Sequence, residues 1–507
     1  MSLAIVRFVV YIILIFLSSS CYNKVENKKL NANSVVQASR ILSDEKWGAD
    51  FEELYTLLKT YHRDLYHKTD SEVFEKLAAE IRNDIPNLSD QQIIVQFARF
   101  VALVNDGHTR LTLPLRTGLG LNQAHSTTPY PSNKNLIFRH LPVEFYWFDD
   151  GLFVTKSTVG YSNLIGKEIL RINDVPVNEA LEMAKSISHF DNENGYKLIA
   201  PSRLSVLEAL QALKIVDKND SKIYLTISSD EKSERVEVLA LERFTKEIFT
   251  AKQTDEEVTV PLISKQRNDE YYWYTYLANQ RTIYLQLNQI NDAVSGPSLV
   301  RFLGNLNDFI KTVEVERLIL DLRNNFGGNN YYTVPIVNLI VKNDKLNEVG
   351  SFYTLIGRKT FSAAQSLVND LRKWTNVIFV GEPTGASPNS YGDSKKKQLK
   401  NSNLTVRIST IYWRDFTTDE HKAWITADIP VENKATDHFQ NKDPSLDICL
   451  NYTLSKNWLD TYYKLYETGG IETIERLYTR FGFSWEHSNA EFTALKDMIA
   501  QRILKKE

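Results

Sequence analysis

The sequence predicts a multidomain α/β protein, α+β overall, and three observations carry that prediction. Residues 45–115 place apolar side chains at helical spacing, residues 140–242 hold short strands around one or two helices, and from 255 to 450 strands alternate with helices. Alternation of that kind builds βαβ units with a mostly parallel sheet, and it sets functional groups at the strand ends.

In the helical segment, Phe74, Leu77, Ala78 and Ile81 share one face behind a Thr69-x-x-Glu72 capping box. A second helix follows Asp90, with Ile93, Ile94, Phe97, Phe100, Val101 and Val104 on one stripe, and Gly107 is expected to end it. Thr109 to Leu115 then alternates apolar and polar residues as a half-buried strand does, which puts His108 on a helix-to-strand junction. The second unit is expected to hold strands at Leu152–Thr155, Glu168–Ile172, Ile223–Ile227 and Val236–Leu239. In the third, Thr282–Leu287 reads as a strand, Pro297–Lys311 as a helix and Arg317–Asp321 as a continuous apolar run of the buried-strand kind. A helix from Tyr331, strands at Phe352–Ile356 and Val377–Val380, and a helix starting at Ser362 follow. Residues 451–507 read as a C-terminal helical extension broken by glycines, with no evident chemistry.

Composition removes several classes. The chain has 507 residues, 43% hydrophobic and 24% charged, so it can bury a large core and is neither disordered nor fibrous. A net charge of −3 gives no overall electrostatic case for nucleic acid. Two cysteines, Cys21 and Cys449, exclude a disulfide framework and a cysteine-based zinc site. His62 and His67, five apart, cannot share a helix face as a zincin pair does. No metal or cofactor is implied.

The N-terminus reads as a targeting segment. Arg7, the apolar run Phe8–Leu17 and the small residues Ser18–Ser20 make residues 1–20 a secretory signal peptide. Its stop before Cys21 resembles a bacterial lipoprotein box, which implies a lipidated Cys21, a membrane-anchored extracytoplasmic protein and a polar tether over residues 21–44.

Three short motifs carry chemistry. Asp321-Leu-Arg-Asn-Asn-Phe-Gly-Gly328 follows a buried strand, so its backbone N–H groups can point into a site and hold an anion; a plain glycine turn is the rival reading. Lys359-Thr-Phe-Ser362-Ala-Ala364 places a serine at a helix start, where capping is the commoner duty. Asn105-Asp-Gly-His108-Thr109 holds the third candidate.

Together these motifs, followed by Gly381-Glu-Pro-Thr-Gly385, resemble in their order the C-terminal-processing, or tail-specific, serine peptidase family, in its tricorn-core and retinoid-binding-protein-like branch. The stretch Leu164–Val177 is similar to the core of a PDZ domain. The resemblance implies a ClpP/crotonase-like βαβ catalytic core, Ser362 as nucleophile and His108 as base. It also implies oxyanion donors at the N–H of Ala363 and of Gly327 or Gly328, and a polypeptide substrate. An orienting carboxylate is expected at Glu420, with Asp106 and Asp419 as alternatives. The family's other branch uses a lysine after a glycine, but here Gly385-Ala386-Ser387 stands in that slot and no lysine precedes Lys395. With a histidine base the acid limb of activity is expected near pH 6–7, the ordinary imidazole range of about 6.5. A non-catalytic binding protein on the same fold and an esterase-type acyl hydrolase are the rival functions.

Overall fold

The computed structural model describes residues 40–114, 136, 138–229, 232–241, 262–416 and 422–451. The signal peptide, Cys21, the tether as far as residue 39, Asp419, Glu420 and residues 452–507 lie outside the described residues. Residues 40–44, expected in the tether, are described, and Ile41 and Leu42 pack on the helical core.

Helices α1 (Asp44–Tyr61), α2 (Ser71–Asp84) and α3 (Asp90–Ala102) form the first layer. Their apolar stripes meet around Trp47, Phe51, Phe74, Phe97 and Phe100, all fully buried. The expected capping box at Thr69 is not formed. Asp70 is the residue before α2 and makes no side-chain cap, whereas Ser89 and Gln92 cap α3 reciprocally. Helix α3 also ends at Ala102, ahead of Gly107, because Asn105 turns the chain with a left-handed φ of 56°. Of the strand expected over Thr109–Leu115, the described residues form β1 (Arg110–Leu111), with the Thr112 N–H still donating to the Thr405 carbonyl; Leu115 lies outside the described residues.

The middle unit comprises the hairpin β2 (Val143–Phe148) and β3 (Gly151–Ser157), strands β4 (Ile169–Ile172) and β5 (Val175–Pro176), helices α4 (Val177–Ala184), α5 (Glu193–Leu204) and α6 (Leu207–Ala212), and the long hairpin β6 (Lys222–Ser229) and β7 (Lys232–Leu239). Its sheet runs β5-β4-β6-β7 and closes its own apolar cluster. The strands are longer than alternation alone suggests, since the β6–β7 ladder pairs residues from Lys222–Leu239 as far as Ser229–Lys232.

The third unit is built on β8 (Tyr272–Leu277), β9 (Thr282–Leu287), α7 (Leu299–Ile310), β10 (Arg317–Asp321), α8 (Thr333–Val341), β11 (Phe352–Ile356), α9 (Ala363–Trp374) and β12 (Ile378–Gly381). After β12 come β13 (Ser390–Gly392), β14 (Lys395–Gln398), β15 (Thr405–Ile408), β16 (Ile411–Trp413), β17 (Ile429–Pro430), α10 (Ala435–Phe439) and α11 (Pro444–Asn451). The six-stranded sheet has the order β17-β12-β11-β10-β9-β8 and is parallel except for the edge strand β8. Both faces are covered, which is why its strands read as unbroken apolar runs. Leu318, Leu320, Phe352 and Phe379 face α7, α8 and α9, while Ile319, Tyr353 and Val380 face Leu446 and Cys449 of α11.

One excursion from this unit joins the first layer. Hairpin β14–β15 adds to β1, with Arg110 opposite Arg407 and Leu111 opposite Val406. Leu399, Leu404, Val406 and Ile408 enter the helical cluster, and buried Asp50 of α1 accepts the N–H groups of Asn401 and Ser402. That contact carries the Asn105–Thr109 turn to the sheet.

Candidate active site

Strands β10 and β11 are parallel neighbours, with Asp321 beside Leu355, so the loops that leave their C-terminal ends meet. The first is the Asp321–Gly328 motif. Arg323 folds back on Asp321 and reaches Asp443 at 2.7 Å, where the pair anchors the loop base. Burial works against the Asp443 charge, yet Arg323 holds the carboxyl down to about 2. Farther along, Asn325 is fully buried and spans the turn, accepting the Gly327 N–H at 2.8 Å and donating to the Leu287 carbonyl at 2.8 Å.

The second loop ends at Ser362. Its backbone stands at φ 57°, ψ −127°, a region that L side chains rarely adopt and that costs on the order of 1–3 kcal/mol. The conformation is held by Phe361, whose N–H reaches the Asn325 carbonyl at 3.2 Å, and by Gly327, which passes so close that a Cβ there would lie 2.7 Å from both Ala363 N and Ser362 Cβ. Although Ser362 occupies the cap position of α9, its hydroxyl caps nothing. Instead Oγ lies 3.0 Å from His108 Nε2. Among the described residues the N–H groups of Ala363 and Gly328 have no hydrogen-bond acceptor, whereas that of Gly327 is taken by Asn325. Of the two expected glycine donors, Gly328 is the one left available.

The Asn105–Thr109 turn is wound around Asp106. One carboxylate oxygen accepts the N–H groups of His108 at 2.7 Å and Thr109 at 2.6 Å and the Ser409 hydroxyl at 3.0 Å. The other meets His62 Nε2 at 2.9 Å. His62 Nδ1 accepts the Asp64 N–H, so Nε2 carries the proton given to Asp106. Although burial opposes it, this set holds the Asp106 carboxyl well below the usual range. Asp106 therefore bonds the His108 backbone and not its ring, which removes it as the carboxylate that orients the imidazole. Phe361 stacks on that ring at 4.4 Å, with 27° between the planes. Nδ1 is buried without a partner of full hydrogen-bond geometry, though the Tyr391 backbone acts on the ring. Burial pushes the imidazole down to about 4; Asp106 opposes this, and Arg110 and Arg407 add to it.

Asp191, from the loop before α5, caps the Gly107 N–H at 2.7 Å, and burial pushes its carboxyl up to about 6. Lys395, Lys396 and Lys397 open β14, and Lys395 and Lys397 lie over the Tyr61 ring, with Lys397 Nζ 4.0 Å from its centroid. Lys359, three residues before the serine, points its ammonium at Asn324, at 3.4 Å. Asp428 accepts the Phe379 N–H in β12, a structural task. His62, Asp191 and Ser409 carry no site signal in the sequence; Asp106, just before Gly-His-Thr, and Asn325, two residues before Gly327, carry a recognisable turn signal.

No family model matches the chain, and no curated protein matches it significantly. Solved structures do. A mutant of CPAF aligns at TM-score 0.53 with 12% identity, over 81% of this chain and 99% of that one. Mature CPAF complexed with lactacystin aligns at 0.51 with 13% identity, over 85% and 99%. A photosystem II D1 C-terminal processing protease aligns at 0.36 with 14% identity, over 76% and 93%. At such identities the CPAF likeness shows a shared α/β multidomain fold that runs through nearly the whole of the CPAF chain.

Proposed function

We propose that this chain is a serine peptidase of the C-terminal-processing type, in the branch that works through a serine–histidine pair. The observation that carries the reading is the 3.0 Å approach of His108 Nε2 to a Ser362 Oγ that a strained backbone holds away from its capping duty. A serine hydroxyl needs a base at neutral pH, and a half-buried, uncharged imidazole supplies one. Oγ attacks the scissile carbonyl while its proton passes to Nε2. The oxyanion is held by the N–H groups of Ala363 and Gly328, worth about 10²–10³ in rate per donor. Nε2 then protonates the leaving amine, and water, activated by the same nitrogen, releases the acyl group from Ser362. Nothing in this sequence calls for a metal or cofactor. Glu420 is proposed to orient Nδ1. The shared fold with CPAF supports the reading, and the polypeptide substrate is proposed on the motif resemblance.

A fluorophosphonate probe tests this. The expected product is one adduct, mapped by mass spectrometry to Ser362 and lost in His108→Ala. An unlabelled serine, with the protein folded, sinks the catalytic reading and favours a binding protein.

The extracytoplasmic, lipid-anchored placement is proposed on Arg7, the apolar run Phe8–Leu17 and the small residues Ser18–Ser20 that stop at Cys21. Stable anchoring takes more than one acyl chain, as a bacterial lipoprotein carries. Mass spectrometry of the membrane fraction should find Cys21 as a modified first residue; a chain that retains residues 1–20 contradicts it.

A further inference from the structure

Beside His108 lies a set of cations that the proposed chemistry does not use. Arg110 and Arg407 stand directly opposite each other in the β1–β15 ladder, so their side chains leave the same face. Arg203 of α5 lies close enough to Arg110 to repel it, its Nη2 3.2 Å from His189 Nδ1 and its buried Nε without a partner. Among the described residues none of these three arginines makes an ion pair. The carboxylate that acts on Arg110 is Asp106, and its oxygens are already committed to His62, Ser409 and the turn backbone. Burial and the neighbouring cations pull Arg110 down to about 10, and burial does the same to Arg203.

Like charges placed opposite in a ladder destabilise it, and a buried guanidinium without an anion costs more. A fold keeps such a cluster where function requires it. Guanidinium groups present paired donors that match a carboxylate edge, and an anion placed between them would remove the repulsion.

We infer that Arg110 and Arg407, backed by Arg203, form a subsite beside the catalytic histidine that binds a carboxylate of the substrate chain. Two sources supply that group, an Asp or Glu side chain or the terminal carboxylate. The inference rests on the peptidase reading for its ligand and deepens it by naming what the substrate must carry near the cleaved bond.

The test uses fluorogenic peptides in matched pairs, Glu against Gln scanned through the positions flanking the cleaved bond, and free C-terminal acid against amide. Turnover is measured with the wild-type protein, and binding with Ser362→Ala by anisotropy. One pair should show a kcat/KM preference of about tenfold or more for the carboxylate, the scale of a single charge-assisted contact, and which pair responds identifies the source. Arg407→Gln should bring that ratio to near one while raising Tm, because it relieves the repulsion from Arg110; Arg407→Lys should keep part of the ratio. If Arg407→Gln does not fold, Arg110→Gln takes its place. Turnover without preference in any pair overturns the subsite and leaves the peptidase reading standing. Selective binding to Ser362→Ala without turnover of any peptide by the wild type does the reverse. Neither turnover nor selective binding overturns both.

Discussion

Helices α3 and α9 both begin with a serine at the cap position, and these two serines do opposite things. At α3, Ser89 has an extended backbone, φ −70°, ψ 162°, and its hydroxyl accepts the Gln92 N–H while Gln92 answers to the Ser89 N–H. At α9, Ser362 is turned to φ 57°, makes no cap bond and gives its Oγ to a histidine 254 residues away in sequence. The first arrangement lowers the free energy of its own helix. The second raises it, and the cost is met by the Asn325 turn and the packing of Phe361 on His108. A serine at a helix start is thus read from its backbone angles and its hydroxyl's partner, never from its place alone.

The comparison breaks most sharply in kinetics. Ser362→Ala and His108→Ala should each lower kcat by about 10⁴-fold or more, and the double variant should be scarcely worse, because the pair acts as one unit. Ser89→Ala should leave kcat alone. Additive losses in the double variant would separate the two residues and undo the assignment.

The next effect is on pH. The base must be uncharged to accept the Ser362 proton, and burial takes His108 from its ordinary 6.5 to about 4. The acid limb of kcat/KM, which reports the free enzyme, is therefore expected near pH 4 and not at the pH 6–7 that the residue type alone suggests. The same shift has a stability cost. His108 binds its proton more readily unfolded than folded, so its contribution is complete above pH 6.5 and drains away as pH falls toward 4. Asp191 runs the other way: raised from 3.8 to about 6, it favours the fold at low pH and loses that contribution as pH rises through 6. A pH–rate profile with its limb at 6.5 would show that His108 is not buried in solution.

The smallest effects are in stability and carry opposite signs. Ser89→Ala should cost about 1 kcal/mol through the lost cap. Ser362→Gly should gain about 1 kcal/mol, the relieved backbone strain less the entropy of glycine, while abolishing turnover. Denaturant titration of both variants measures this; a destabilised Ser362→Gly would mean that the side chain, and not the chemistry, keeps serine there.

The sequence carried the parallel core well, since Arg317–Asp321 and Phe352–Ile356 appear as strands over the bounds their apolar runs suggested. It misplaced the ends of α2 and α3, because Thr69 and Gly107 are plausible punctuation that the chain does not use, Asp70 and Asn105 having made the turns instead. Half the candidate site was similarly visible. Ser362, His108 and the glycine loop announce themselves by short-range motifs, whereas His62 and Ser409 on Asp106, and Asn325 on Leu287, are joined by contacts that no local pattern encodes.

By itself the sequence determined what propagates over a few residues: the 3.6- and 2-residue periods that set the layers, the turn chemistry of the loops, and which residue types stand ready for acyl transfer. Tertiary structure alone decided the rest. It brought β1 onto β15, which sets His108 against Ser362 and Arg110 against Arg407, and it withdrew water from the imidazole. The physical reason is that proximity, burial and charge repulsion are properties of neighbours in space, and these neighbours lie hundreds of residues apart along the chain.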